Sequence, residues 1–353
     1  MRRPPPERKP PVKDVRIVVC GLGNVGKAFV ELLAERAPDV EARYALRLVL
    51  AAAVDIGGAA VCDAPGGLPA RELLAHLHAG GRVEGFGKFG RPGLSGPEAL
   101  DAAAVLVEAT PTNLTDGEPG RTHIVAALRR GREVVSANKG PIVLFYKELL
   151  ELARQNRCGL HISAATAAAL PTLDVARVCL AGSRILSVEG ILNGTTNYIL
   201  SRMRAGGAAY ETALKEAQQL GIAETDPRKD VGGFDTAAKL VIIANVLFGP
   251  SFRLEDVPTQ GITGVTPEDI ARAGKDGEVI KLVGSAERVG GEVRLRVAPQ
   301  RLKATHPLAS VNGSEKAISY MTDTMDRITV SGGKSSPVGA AAALLKDLIN
   351  AYV

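Results

Sequence analysis

The sequence predicts two domains, a doubly wound and mainly parallel α/β sheet followed by a mixed α+β domain. Residues 15–20, VRIVVC, form a continuous apolar, β-branched run, which is typical of a strand buried on both faces of a parallel sheet. Strand and helix patterns alternate from there to about residue 166, and longer helical stretches with short late strands follow. With 353 residues the chain is long enough to form two hydrophobic cores.

We expect four segments along the chain. They are a disordered, basic, proline-rich tail at 1–13, a first domain at 14–166, a second domain at 167–334, and a helix at 335–353 that returns to the first domain. Five prolines in the tail oppose any regular helix there. Strands are predicted at 15–20, 46–54, 103–107, 133–136, 185–192, 289–297, 318–321 and 327–330, and helices at 24–36, 123–130, 173–180, 197–204 and 339–349.

Composition excludes several classes of protein. Hydrophobic residues make up 46% and charged residues 23%, as in soluble globular proteins. Tryptophan is absent and aromatic residues total 4%, which argues against nucleic-acid binding by base stacking. The chain has no run of eighteen apolar residues, the charged N-terminus lacks the apolar core of a signal peptide, and the cysteines show no metal-ligand spacing: Cys20, Cys62, Cys158 and Cys179. We therefore expect a cytoplasmic protein.

A glycine motif, GLGNVG at 21–26, directly follows the first strand and begins a helix. In this context G-x-G-x-x-G predicts a dinucleotide-binding, Rossmann-type domain. Gly21 permits the tight turn, Gly23 lets the backbone approach a pyrophosphate, and Gly26 lets helix and strand pack closely. Asn24 and Val25 complete the phosphate-binding turn, whose free N–H groups lie at the start of the helix.

Asp55 ends the second strand, where a carboxylate can accept a hydrogen bond from a ribose 2′-hydroxyl and repel a 2′-phosphate. The spacing from Gly26 exceeds the usual ~20 residues, which predicts an insertion at 37–43. Arg43 and Arg47 keep NADP open as an alternative. The acid favours NAD as the cofactor.

The segment GIAETDPRKDVGGFDTAAK, at 221–239, combines Glu224, Asp226, Asp230 and Asp235 with Lys239, and apolar sequence flanks it. Asp235 and Lys239 are four residues apart and share one face if the segment from Phe234 is helical. One interpretation is an amino-acid pocket with a lysine acid/base. The other is a surface helix with an ion pair that stabilises it by about 0.3–0.5 kcal/mol.

Five motifs together resemble homoserine dehydrogenases. They are GLGNVG, EATPTN (108–113), SANKGP (136–141), ILNGTTNYIL (191–200) and ETDPRKDVGGFDTAAK (224–239). The resemblance implies a two-domain homodimer, with a second domain for substrate binding and dimerisation, that interconverts L-homoserine and L-aspartate 4-semialdehyde with NAD(P) in threonine, methionine and isoleucine biosynthesis. It corresponds to the short form without a C-terminal regulatory domain.

The resemblance also assigns roles to individual residues. Lys239 matches the proton donor to the aldehyde oxygen, Lys139 matches a lysine between nicotinamide and substrate, and Asp235 belongs to the same catalytic group. The implied substrate-binding residues are Glu224, Asp230, Asp235, Gly194 and Thr195. Thr110 and Ser336 match cofactor contacts, besides Lys139. A monovalent cation, such as sodium, is implied at Thr166, Ala168, Leu170, Gly221 and Glu224.

Two other functions stay open. One is a Rossmann-type dehydrogenase acting on another amino-acid semialdehyde, against which NGTTNYIL speaks. The other is a catalytically inactive, cofactor-sensing binding protein, which would have little reason to retain both Lys139 and Lys239. The role of Lys334, in the glycine-rich turn 332–336, stays undecided between a cofactor or substrate contact and a solvated loop residue.

Overall fold

The computed structural model describes residues 11–249, 252–333 and 335–353. Within them the first sheet has the strand order β4-β3-β2-β1-β5-β6-β7. Its strands are β1 (Lys13–Cys20), β2 (Leu46–Asp55), β3 (Gly58–Val61), β4 (Gly90–Pro92), β5 (Val105–Glu108), β6 (Glu133–Ser136) and β7 (Leu160–His161). β1, β2, β5, β6 and β7 pair in parallel, whereas β3 and β4 add an antiparallel edge.

The second sheet has the strand order β10-β9-β8-β11-β12. Its strands are β8 (Ile185–Ile191), β9 (Glu278–Val289), β10 (Glu292–Lys303), β11 (Lys316–Thr322) and β12 (Arg327–Gly332). All of its neighbouring strands pair antiparallel. This sheet, with the helices packed on it, forms the predicted α+β part of the chain.

The helices, apart from 3₁₀ and π turns, are α1 (Asn24–Tyr44), α2 (Ala70–His78), α3 (Gly96–Ala99), α4 (Gly120–Arg129), α5 (Lys139–Gln155), α6 (Ala164–Ala167), α7 (Thr172–Asp174), α8 (Gly194–Gly206), α9 (Tyr210–Gln219), α10 (Arg228–Val231), α11 (Phe234–Phe248), α12 (Pro267–Lys275) and α13 (Pro337–Asn350). The last helix, α13, packs against α1. Among the described helices, none combines the length and apolar character that crossing a bilayer requires.

Strand β1 lies at the centre of the first sheet and is buried on both faces. Ile17 and Val19 belong to a core that includes residues of α1 and α13, whereas Val18 and Cys20 face a second core with residues of α4 and α5. Successive side chains of a strand point to opposite faces, so helices must cover both sides of this sheet. The doubly wound architecture is confirmed.

Several predicted elements differ in extent. The predicted strand at 289–297 is confirmed only from Glu292 onward, where it belongs to β10, because Gly290 and Gly291, both with positive φ, form the turn of the β9–β10 hairpin. The proposed insertion at 37–43 is helical, since α1 continues through Pro38 and buries Val40. The predicted helix at 173–180 is α7 followed by a π turn at Val175–Cys179. Strand β1 begins at Lys13 rather than Val15, and the predicted disorder of residues 1–10 falls outside the described residues.

Candidate active site

A cleft of about 1200 Å³ opens where the parallel strands of the first sheet end. The carboxyl edge of such a sheet is where ligands bind in doubly wound folds. The lining includes most of the residues predicted to contact the cofactor, together with one from the acidic segment: Gly21, Gly23, Asn24, Val25, Asp55, Thr110, Lys139 and Glu224. The fold thus brings Glu224 of the acidic segment to the same cavity as the predicted cofactor residues.

The glycine turn has the close packing that its motif requires. Gly21 has φ of +91°, and a Cβ atom there would lie 2.6 Å from the backbone nitrogen of Thr110. A Cβ at Gly26 would overlap the Gly21 carbonyl oxygen, so only glycine lets α1 approach the turn. Gly23, the N-cap of α1, lines the cleft, and no atom of the described residues lies within 4 Å of its Cβ position. This open backbone at a helix N-terminus fits a pyrophosphate.

A buried carboxylate, Glu108, organises the floor of the cleft. Glu108 is fully buried at the end of β5 and accepts hydrogen bonds from the backbone nitrogen of Thr110 at 2.9 Å and from His123 Nδ1 at 2.8 Å. Asn138 Nδ2 donates to Thr110 Oγ1 at 3.0 Å, and Asn138 Oδ1 caps α5 by accepting from Gly140 N. The network therefore fixes Thr110 and the start of the helix that carries Lys139.

Asp235 lies between the two predicted catalytic lysines. Lys239 Nζ donates to Asp235 Oδ2 at 2.6 Å, and Lys139 Nζ lies 3.6 Å from Asp235 Oδ1. Only 13% of the Lys239 side chain and 15% of the Asp235 side chain are exposed, so the surface-helix interpretation is wrong. Burial favours a higher pKa for Asp235, but the charges of Lys239 and Lys139 and the hydrogen bonds from Lys239 and Asn193 outweigh it, so its pKa lies well below the ordinary value.

Asn193 connects the acidic segment to the turn that precedes α8. Its Nδ2 donates to Asp230 Oδ1 at 2.7 Å and to Asp235 Oδ2 at 2.9 Å, while its Oδ1 caps α8 by accepting from Thr196 N. Burial, with the nearby negative charge of Asp235, raises the pKa of Asp230 above its usual range. The pKa values of Asp230 and Asp235 are therefore shifted in opposite directions.

The remaining predicted substrate residues border this cluster. Thr195 Oγ1 donates to the Ile222 carbonyl at 2.9 Å, which ties the start of α8 to the acidic segment. A Cβ at Gly194 would lie 2.7 Å from the Ser314 carbonyl oxygen, so glycine is required there. Glu224 is exposed at the cleft, whereas Asp226 pairs on the surface with Arg228 at 2.6 Å. Asp226 consequently takes no part in the cluster.

Two other predicted positions lie elsewhere. Ser336 is the N-cap of α13, where its Oγ accepts from Gly339 N at 3.1 Å, and the described lining of the cleft does not include it. Lys334 lies outside the described residues.

The oxygens predicted to bind a cation are only partly free. The Leu170 carbonyl accepts from Thr172 N at 2.8 Å, and the Glu224 carbonyl accepts from Gln218 Nε2 at 3.2 Å. The Lys316 ammonium donates to the Ala167 carbonyl in the same loop, at 2.6 Å. A buried lysine side chain therefore already contacts this loop, and a monovalent cation at these oxygens stays a prediction.

Sequence reasoning missed four residues of this site: Glu108, His123, Asn138 and Lys316. Glu108 and Asn138 stand inside the motifs EATPTN and SANKGP, so a buried acid and amide at strand ends were visible signals. His123 and Lys316 had no motif, and only the folded chain brings them to the site.

Family models match both halves of the chain. The homoserine dehydrogenase model matches residues 171–349, and the model of the NAD-binding domain of homoserine dehydrogenase matches residues 21–163. A homoserine dehydrogenase of Methanocaldococcus jannaschii is 38% identical, over 95% of this chain and 98% of its own length. An NAD(+)-dependent homoserine dehydrogenase of Pseudomonas canavaninivorans is 34% identical, over 96% of each chain.

Solved structures agree in fold over nearly the whole chain. An inferred homoserine dehydrogenase from Archaeoglobus fulgidus superposes with a TM-score of 0.85 and 35% identity, over 96% of this chain and 99% of its own. A mutant of a hyperthermophilic archaeal homoserine dehydrogenase in complex with NADPH has a TM-score of 0.81 and 27% identity, over 96% of this chain and 97% of its own. With a dinucleotide-type cleft beside a lysine–aspartate cluster, and with relatives of this coverage, the chain belongs to the homoserine dehydrogenase family of NAD(P)-dependent oxidoreductases that act on a CH–OH group.

Proposed function

We propose that this chain interconverts L-homoserine and L-aspartate 4-semialdehyde at the Asp235 cluster, with Lys239 as the proton donor to the aldehyde oxygen. The observation that carries the proposal is one largely buried carboxylate, Asp235, contacted by two lysines, of which Lys139 lines the dinucleotide cleft. When bound, the nicotinamide supplies or accepts the hydride. The protein must then provide a proton and positive charge where the alkoxide develops.

The hydrogen bonds of Lys239 leave one proton for this task. A lysine ammonium has three N–H donors. Within the described residues, Lys239 Nζ donates to Asp235 Oδ2 at 2.6 Å and to the Leu192 carbonyl at 2.9 Å. The third N–H is free to point at the substrate oxygen, and Asp235 holds the ammonium in that direction. Lys139, which lines the cleft, adds a second positive charge from the cofactor side.

Glu224, Asp230 and the Gly194–Thr195 turn are the proposed substrate-binding residues. Among the described residues, the Glu224 carboxylate makes no salt bridge, and its exposed position at the cleft suits it to accept the substrate ammonium. Asp230 keeps Asn193 directed at Asp235. Glu224 thus binds the ammonium at the amino-acid end of the substrate, while the lysines act on the other end.

We also propose NAD as the preferred cofactor. Asp55 lies at the end of β2 in the cleft, and Ile56, 99% exposed, follows it where a cation would be needed to bind a 2′-phosphate. Arg47 pairs with Asp14 at 2.7 Å near the opposite end of β2, which removes it as a phosphate ligand. Arg82, close to Gly57, is neutralised by Glu84 at 2.6 Å.

Three further proposals remain. A homodimer and a place in threonine, methionine and isoleucine biosynthesis rest on the family resemblance, and a cytoplasmic location rests on the sequence composition. Light scattering coupled to size-exclusion chromatography measures the first directly, and a monomeric mass at working concentration would contradict it.

Nicotinamide absorbance with homoserine as substrate tests the main proposal. We expect turnover in the parent and a loss of about 10²–10⁴-fold in kcat for Lys239→Ala. Lys215→Ala, at an exposed position of α9, is the control and should keep parental activity. A parent active only with another amino-acid semialdehyde would favour the other dehydrogenase, and cofactor binding with no turnover of either substrate would favour the cofactor sensor.

A further inference from the structure

Lys316 is a buried lysine at the start of β11, and no role has yet been assigned to it. Only 1% of the residue is exposed, which ranks it among the largest fully buried side chains. Its Nζ donates to the Ala167 carbonyl at 2.6 Å. Within the described residues no carboxylate oxygen lies within 4.0 Å of this ammonium. A buried lysine without a counter-ion is costly, so its presence requires an explanation.

The strand pairing places Lys316 beside the catalytic cluster. Ala317 pairs with Ile191, so the start of β11 lies next to Leu192, whose carbonyl accepts from Lys239 Nζ at 2.9 Å. The charged groups that face Lys316 are Lys239 and Asp235 from α11 and Lys139 from α5. Burial, reinforced by the positive charge of Lys239, lowers the pKa of Lys316 to about 7.

The backbone that Lys316 contacts is strained. Ala168, directly after Ala167, has φ of 52° and ψ of −111°, a conformation that an L-residue rarely adopts. Such a residue costs about 1–3 kcal/mol and persists where its surroundings enforce it. Gly333, from the segment after β12, packs on the same loop, because a Cβ there would lie 3.1 Å from Leu170 N. The start of β11 and the segment after β12 therefore both contact this loop.

We propose that Lys316 is a positioning residue of the active site, which holds the strained loop 163–171 through Ala167 and adds a positive charge behind the Lys239–Asp235 pair. This inference rests on the proposed role of Lys239. A charge in the poorly solvated interior acts on its neighbours more strongly than one in water. Protonated Lys316 thus assists proton donation by repelling the proton of Lys239 and by favouring the developing alkoxide.

Lys316→Met removes the charge and the hydrogen bond while keeping the length of the side chain. We expect it to fold, since a buried lysine replaced by an apolar residue of similar shape loses its desolvation cost. The matched control is Lys281→Met in β9. Lys281 is also 1% exposed and donates to Asn197 Oδ1 at 3.0 Å, but the nearby charge that acts on it is Arg204, not the cluster.

The measurements are kcat for semialdehyde reduction from about pH 6 to 8, the cofactor KM and the thermal midpoint. We expect kcat of Lys316→Met to fall about 10- to 100-fold. Removing a group that donates directly to the transition state typically lowers kcat more, by about 10²–10³-fold. In the parent, kcat should decline as pH rises and Lys316 loses its proton. This decline should be absent in Lys316→Met. Lys316→Arg, which stays charged at all these pH values, should recover most of kcat and should also lack the decline.

Three outcomes overturn the inference: parental kcat and pH profile in Lys316→Met, an equal loss in Lys281→Met, or a parental decline in Lys316→Arg. If Lys316→Met does not fold, the pH profile of Lys316→Arg decides in the same way.

Lys239→Met separates the two proposals. Full activity in that variant refutes the proposed function, whereas an inactive Lys239→Met beside a parental Lys316→Met refutes the further inference alone.

Discussion

Lys239 and Asp235 lie one turn apart on α11 and are joined by a hydrogen bond of 2.6 Å. The other oxygen of Asp235 lies 3.6 Å from Lys139 Nζ at the start of α5. On an isolated helix these two residues would form an ordinary surface ion pair. Here they connect the helices of the second sheet to the dinucleotide cleft. Its largely buried state explains why charge changes at this point should affect catalysis.

Asp235→Asn should lower kcat by about 10²-fold or more, because it leaves two ammonium groups facing each other without the carboxylate that directs them. Steady-state kinetics with homoserine measures this. Asp226→Asn, in the same segment but paired with Arg228 on the surface, is the control and should keep parental kcat. Equal kcat in parent and Asp235→Asn would exclude Asp235 from the catalytic group.

Gly23→Ala should raise the cofactor KM about tenfold or more without changing the thermal midpoint. In the described part of the chain no atom lies within 4 Å of the new Cβ, so folding is unaffected, but the methyl group occupies space where a pyrophosphate must approach. Gly274→Ala in α12, also with no atom within 4 Å, controls for a glycine-to-alanine change. An unchanged cofactor KM would place the phosphates elsewhere.

Replacing Asp55 with Ser and Ile56 with Arg should move cofactor preference from NAD towards NADP. The change removes the carboxylate that repels a 2′-phosphate and adds a cation that binds it. The ratio of kcat/KM for the two cofactors, measured in parent and double variant, should shift by about 10²-fold. A parent that already prefers NADP would refute the proposed preference.

Ala168→Gly should stabilise the protein by about 1 kcal/mol, since glycine adopts the observed φ of 52° without strain, although it loses more chain entropy on folding. Denaturant unfolding measures the change. Ala165→Gly, in the adjacent helical turn α6, should instead destabilise by about 0.5–1 kcal/mol. Destabilisation by both substitutions would show that Ala168 is not strained.

Lys316 should make stability depend on pH in the alkaline range. Its pKa is about 7 in the folded chain and 10.5 ordinarily, so between these values the folded state binds fewer protons than the unfolded state, and stability rises with pH. The free energy of unfolding of Lys316→Met minus that of the parent should therefore become smaller as pH rises through this range. Lys281 has a pKa of about 8 in the folded chain. The difference in free energy of unfolding between Lys281→Met and the parent should therefore begin to decrease about one pH unit higher. If the difference in free energy of unfolding between Lys316→Met and the parent did not change with pH, it would contradict the lowered pKa of Lys316.

Local patterns predicted much of the fold. The apolar run at 15–20, the glycine turn and the strand at 133–136 depend on contacts close in sequence, and the structure confirms each of them. The same reasoning failed at the start of the strand predicted at 289–297. Strand-forming residues lie on both sides of Gly290–Gly291, and periodicity alone does not show that a turn divides them.

By itself, the sequence determined the dinucleotide turn, the acid at Asp55 and the helical spacing of Asp235 and Lys239, since each follows from backbone sterics or helix periodicity over a few residues. Only the tertiary structure decided that this pair is largely buried, that Lys139 lies beside it, that Glu108 contacts His123, and that Lys316 contacts the loop at Ala167. Those relationships join elements that are far apart along the chain. They depend on how two sheets and their helices pack, and no local pattern contains that information.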